Sequence, residues 1–176
     1  MRQPNEKQLR VVFIHGLEGT PQGKKPMFLR EHFDTIAPAM DTSDLPAAIL
    51  TQAKALVEAN PDVVVGSSFG GAIAVALLEQ GIWRGPTVLL APAAQRLSIR
   101  NTLPNNVAVT IVHGTRDDII PLEDSRALAN TGTPSLVQLI EVDDDHRLQS
   151  LLDTGTLADY VKTTHARAEQ AKEGAK

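Results

Sequence analysis

Cysteine is absent from the 176 residues. Disulfides, zinc sites built on cysteine and a thiol nucleophile are therefore excluded, while the redox compartment stays open. Aromatic residues amount to 3%, so a core has to be assembled mainly from Val, Leu, Ile and Ala. Positive charge is sparse as well: Lys plus Arg number 17 against 21 Asp plus Glu, and no long basic run occurs. That removes the electrostatic footprint of a partner for nucleic acid or an anionic membrane. No apolar run is long enough to insert into a bilayer. The opening MRQPNEKQLRVVFIHG carries charge and then a short apolar stretch broken at His15, which does not read as a secretory signal. These absences lead us to expect a cytoplasmic protein acting on a small molecule, with its oligomeric state undetermined.

What is present is an ordinary globular composition, 42% apolar and 22% charged. A chain of this length fits one domain and removes roughly 70% of its unfolded surface from water on folding. Short β-branched runs recur at 9–14, 62–66, 86–90, 107–112 and 136–142, with a weaker one at 34–39. Most are continuously apolar, as strands covered on both faces are, and this predicts a parallel sheet. Helical segments alternate with them. Residues 45–60 place Ile49, Ala53, Leu56 and Val57 at helical spacing after Ser43 and Asp44 as caps. Residues 70–81 are apolar nearly all round and end on Gly81, while 121–130 open with Pro at the first helical position. A last amphipathic helix is expected from Asp153 to about Arg167. The domain expectation is a polar lead over 1–8, one α/β domain over 9–167 and a frayed tail over 168–176.

In an open α/β sheet the site lies beyond the carboxyl ends of the strands. HGLEGTPQGKK (15–25) follows the first run and is glycine-rich, but Glu18 stands where a phosphate loop needs Gly and Lys25 where it needs Ser or Thr. Gly66-Ser67-Ser68 has Ser at the second Gly of a dinucleotide fingerprint, so no nucleotide cofactor is expected. Gly66-Ser67-Ser68-Phe69-Gly70 does fit G-x-S-x-G, with a strand before and a helix after it. A serine on that tight turn adopts a strained backbone, and the flanking glycines keep side chains away from it. Such a pattern also arises as a small-residue turn that lets a helix pack close to a strand, so partners have to decide. In the order serine, acid, histidine, HGTRDDIIP (113–121) offers Asp117, with Asp118 as competitor, and DDDHRLQSLL (143–152) offers His146. A solvated turn is the plain alternative for the acids, and a surface residue for the histidine. Four consecutive residues cannot readily converge on one ion, so DDDH is not expected to bind metal. His15 and Gly16 shape the loop before Leu17, whose N–H would face that of Phe69 as a two-donor oxyanion site. His113 reads as structural. Phe28, Phe69, Leu17 and Trp83 are pocket candidates for which core packing is the commoner use.

Together HGLEG, GSSFGG, HGTRDDIIP and DDDHRL resemble the α/β-hydrolase superfamily, and most closely its small bacterial YqiA-like esterases. The resemblance implies a compact α/β-hydrolase fold of about six mostly parallel strands in the order 2-1-3-4-5-6, with helices on both faces. No cap domain is implied, because 93–106 is too short to hold one. It also implies Ser68 as nucleophile, Asp117 as acid, His146 as base, and Leu17 and Phe69 as oxyanion donors, with Gly66 and Gly70 shaping the turn. The expected function is a cofactor-free serine hydrolase cleaving small carboxylic esters or thioesters through an acyl-enzyme. A non-catalytic small-molecule binder or an acyltransferase on the same fold are the alternatives.

Overall fold

The computed structural model describes residues 8–175, so the expected polar lead lies almost entirely outside the described residues. In chain order the elements are β1 Arg10–Ile14, α1 Lys24–His32, β2 Asp34–Ile36, α2 Leu45–Ala59, β3 Val63–Ser67, α3 Phe69–Glu79, β4 Thr87–Leu90, a 3₁₀ turn Gln95–Leu97, β5 Val109–Gly114, α4 Leu122–Ala129, β6 Val137–Val142, α5 Ser150–Asp153 and α6 Thr156–Gly174. The six strands form one parallel sheet in the order β2-β1-β3-β4-β5-β6.

Both faces of the sheet are buried, which explains why the strands read as unbroken apolar runs. Val12, Ile14, Val64, Leu89, Val109 and Ile111 point to one face, where Leu56, Ile73, Leu77 and Leu128 from α2, α3 and α4 cover them. Val11, Phe13, Val63, Val65, Val88, Leu90 and Val112 point to the other, against Leu29 of α1 and Leu157 and Val161 of α6. Period-two alternation thus sorts side chains between two apolar layers and not between core and water.

Local signals account for the helix ends. The Asp44 carboxylate caps α2 by accepting from the Ala47 N–H at 3.0 Å. Past α3, Gly81 at φ 68° donates to Leu78 O and Ile82 to Leu77 O, the paired bonds of a Schellman end. Three details differ from expectation. Val57 is 78% exposed, because the buried stripe of α2 runs through Ala48, Gln52, Leu56 and Ala59. Pro121 is the N-cap of α4 and Leu122 its first helical residue. The C-terminal segment divides into α5 and α6, and α6 continues to Gly174, past Arg167, since Ala168 still packs inward and Glu169 pairs with Lys172 one turn on. Residues 93–106 hold the 3₁₀ turn and loop without an inserted helical layer. Among the described residues no helix is long and apolar enough to cross a membrane.

Candidate active site

Strand order reverses direction between β1 and β3, so the loops that leave them diverge and open a crevice at the strands' carboxyl ends. Ser68 stands at that point, between β3 and α3. Its backbone has φ 55° and ψ −113°, outside the comfortable regions for a residue with a Cβ. Three backbone bonds hold it there: its N–H donates to Leu90 O, and its carbonyl accepts from Ala72 and Ala93 N–H. Glycine is required on both sides. A methyl group at Gly70 would lie 2.0 Å from Ile14 O, and one at Gly66 2.6 Å from Gly70 O. The Ser68 hydroxyl does not cap α3; it lies 3.0 Å from His146 Nε2.

The acid comes from the turn after β5. The Asp117 side chain is 1% exposed. Its Oδ1 accepts from the Ile119 and Ile120 N–H groups, each at 2.9 Å, and its Oδ2 is 2.7 Å from His146 Nδ1. A carboxylate can only accept, so His146 carries its proton on Nδ1, and Nε2 is left to accept from the Ser68 hydroxyl. Burial alone would push the Asp117 carboxyl up. The Ile120 N–H, the imidazole and the Ile119 N–H outweigh it and hold the carboxyl below its ordinary range. Of the two acids left open by the sequence, Asp117 meets His146, whereas Asp118 is exposed.

His146 lies in the loop after β6, and its three acidic neighbours turn away from one another. Asp143 pairs with Arg116. Asp144 accepts from the N–H and hydroxyl of Ser150 at 2.9 and 2.6 Å. Asp145 accepts from the Arg147 N–H. Burial would raise the Asp144 carboxyl, but the Ser150 hydroxyl and N–H and the Asp145 N–H bring it below the ordinary range. Among the described residues no group of three His, Cys, Asp or Glu side chains is arranged to hold a metal ion. Further clamps act on the same loop: Lys25 Nζ donates to Arg147 O at 2.6 Å, and Leu148 is wholly buried at φ 52°. Burial pushes the Lys25 ammonium down, opposed by Asp144 and Asp145.

A cleft of about 670 Å³ opens beside these groups, with Ser68, His146, His15, Leu17, Lys25 and Ile119 in its wall. Gly16 lies against the turn: a methyl group there would be 3.3 Å from Ser67 O and 3.4 Å from Ser68 Cβ. Buried His15 is 2.9 Å from Gly16 O through Nδ1, so that nitrogen carries the proton and steadies the loop. Neither the Leu17 nor the Phe69 N–H donates to another described group. Of the four pocket candidates only Leu17 lines the cleft, 58% exposed; Phe69 is core, and Phe28 and Trp83 pack against the two core layers.

No protein-family profile matches the chain, and no curated protein does. Solved structures do match. A protein of the alpha/beta superfamily of hydrolases from Xanthomonas campestris pv. campestris superposes at TM-score 0.68 and 21% identity, over 90% of this chain and 98% of that one. Est1E from Butyrivibrio proteoclasticus gives 0.66 and 19% over 97% and 89%, and the Paleococcus ferrophilus monoacylglycerol lipase 0.69 and 16% over 90% and 94%. The chain has the α/β-hydrolase fold. Two residues of this α/β-hydrolase fold lie at the site although the sequence reading gave neither a place in it. His113, at 0% exposure, is 3.1 Å from Asp117 Oδ2 through Nε2. Gly114 passes so close beneath the His146 loop that a methyl group there would be 2.4 Å from Asp144 O. The available signal was a repeat, His-Gly at the ends of both β1 and β5.

Proposed function

We propose that this protein is a serine hydrolase that cleaves small carboxylic esters or thioesters through an acyl-enzyme. The observation that carries the reading is the unbroken line Ser68 Oγ, His146 Nε2, His146 Nδ1, Asp117 Oδ2, at 3.0 and 2.7 Å, with Ser68 and His146 in the wall of the cleft. Ser68 Oγ attacks the substrate carbonyl carbon as His146 Nε2 takes its proton, and Asp117 stabilises the imidazolium that forms. The Leu17 and Phe69 N–H groups would receive the oxyanion. Collapse of the tetrahedral species breaks the bond to the alcohol or thiol, which leaves with the proton from His146. Water then attacks the acyl-Ser68 with His146 again as base, releasing the acid and restoring the hydroxyl. Nothing in this sequence of steps calls for a cofactor.

The cleft has exposed Leu17 and Ile119 in its wall and, among the described residues, no helical layer over it, which suits a small, partly apolar substrate. A neighbour named as a monoacylglycerol lipase and another solved with ferulic acid bound agree with carboxylic-ester chemistry. The test is a fluorophosphonate probe with the adduct mapped by mass spectrometry, beside Ser68→Ala. Labelling at Ser68 alone, and a fall in ester turnover of about 10⁶-fold in Ser68→Ala, are the expected results. Folded protein that never labels would instead favour a binding role for the cleft.

A further inference from the structure

His113 takes no part in the proton transfers above, yet its imidazole is wholly buried against the same carboxylate. Nε2 is 3.0 Å from Ile120 O and 3.1 Å from Asp117 Oδ2, and Nδ1 is 2.7 Å from Ser125 Oγ. Carbonyl and carboxylate oxygens only accept, so the proton is on Nε2 and the Ser125 hydroxyl donates to Nδ1. The two acceptors on the turn after β5 thereby fix the tautomer of a histidine at the end of that strand, and the Ser125 hydroxyl on α4 takes the donor role this tautomer leaves to it. The imidazole N–H is directed at Ile120 O, with Asp117 Oδ2 beside that line.

Ile120 is also the residue whose N–H donates to Asp117 Oδ1. A single imidazole therefore holds the 117–120 turn from below by its last carbonyl and presents positive N–H density to the carboxylate oxygen that receives His146. Without it, Oδ2 would face His146 alone, and Ile120 O would be left buried without this donor. A buried carbonyl that loses its donor favours a rearranged turn that finds it another. Asp117 could then rotate its carboxylate without leaving the site.

We propose that His113 is a positioning residue: through Ile120 and Asp117 it sets the carboxylate that aligns His146 on Ser68. This rests on the serine-hydrolase reading for its catalytic consequence, whereas the hydrogen-bond arrangement is testable without it. The experiment compares wild type, His113→Leu, His113→Gln, Ser125→Ala and the Ser68→Ala control, each with its folded fraction measured by circular dichroism. Two readouts are taken: kcat and KM on p-nitrophenyl acetate with the rate of fluorophosphonate labelling, and ¹⁵N-histidine NMR of the ring protons. In wild type the His113 proton is expected on Nε2, with a strongly downfield Nδ1 proton on His146.

In His113→Leu that downfield proton should shift or broaden. Labelling rate and kcat should fall about 10- to 100-fold at little-changed KM, the scale of an ångström of misalignment. His113→Gln keeps an N–H near the Nε2 position and should recover most of the loss. If His113→Leu does not fold, Ser125→Ala decides, because it takes the donor from His113 Nδ1 and loosens the imidazole while placing a good helix former in α4; its expected loss is about 3- to 10-fold, one hydrogen bond's worth. A folded His113→Leu or Ser125→Ala with wild-type labelling rate and an unchanged His146 proton overturns the proposal. Wild type that never labels sinks the hydrolase reading alone, and the NMR comparison still decides whether His113 holds Asp117.

Discussion

Gly114→Ala offers a quantitative trial of how the site is held. A methyl group at this position would lie 2.4 Å from Asp144 O and 2.7 Å from Asp145 O, about 1 Å short of ordinary van der Waals contact at 3.4 Å. The strand cannot yield: Gly114 is in register with Val142 of β6, and Thr115 N–H donates to Val142 O at 2.8 Å. The loop must therefore retreat by about 1 Å, and the crowded oxygen is the one that accepts from the Arg116 N–H. His146 follows two residues after Asp144, so a bond to Ser68 now at 3.0 Å stretches towards 4 Å. Misplacement of about 1 Å costs on the order of 10²-fold in rate, and overpacking costs about 1–3 kcal/mol, or a fall in Tm of about 2–12 °C at this chain length. Labelling kinetics with fluorophosphonate and a thermal melt measure both, with Gly174→Ala as control because nothing lies within 4 Å of a methyl group there. A Gly114→Ala protein that is fully folded and labels at the wild-type rate would show that the loop does not transmit this contact to His146.

Asp117→Asn places an amide where Oδ2 now accepts from His146, forcing the wrong tautomer, and should lower kcat by about 10⁴-fold. Asp118→Asn, exposed, should leave ester turnover within about twofold, as surface substitutions usually do, and equal losses in the two variants would refute the assignment of the acid. Ser68→Gly relieves the backbone at φ 55° while Ser68→Ala retains it; although both are inactive, the glycine variant should be the more stable by about 1–2 kcal/mol in urea melts. The carboxyls of Asp117 and Asp144 are both lowered on folding. Groups with depressed folded values contribute stability that is complete above the unfolded value, about 4, and lost as pH falls through the folded one. Tm should therefore drop on acidification below about pH 4, and Asp117→Asn should show a shallower drop; an identical acid limb in the variant would contradict the assignment.

The sheet was legible because its strands are buried on both faces, so each announces itself as an apolar run without needing strict alternation. The chain order serine, acid, histidine was legible for the same reason: each residue lies within five positions of the end of one of those runs. The helix facing was harder. On α2 the fully buried positions are Ala48 and Gln52, and a polar residue at the centre of the stripe shifts the apparent phase onto Val57, which is exposed. The reach of α6 was hidden too, because its last turns are held by helix-forming residues and a Glu169–Lys172 pair and bury little apolar surface. The His-Gly repeat marked His113 as a strand-end residue but showed nothing of its contacts. Its partners Ile120 and Ser125 are seven and twelve residues away, and only the fold brings them to one imidazole.

The glycines tie these observations into one argument about spacing. The segment that carries Ser68 approaches β1 through Gly70 on Ile14 O at 2.0 Å and the loop after β4 through Gly71 on Pro92 Cα at 2.9 Å, as read from the methyl groups those positions exclude. The segment that carries His146 approaches β5 through Gly114 in the same way. Each contact is backbone against backbone, so none can relax by a rotamer change, and each leaves the two segments little room to shift against one another. Side chains on those loops inherit that precision: Ser68 from β3, Asp117 from β5 and His146 from β6 meet at hydrogen-bond distance without a covering layer to press them together. It follows that a methyl group at Gly70, Gly71 or Gly114 should damage alignment more than its effect on global stability suggests. The loss in labelling rate should rank with the number of loops displaced: Gly70→Ala, which pushes on both Ile14 and His15 and so moves the Leu17 N–H as well as Ser68, should be the most damaging of the three.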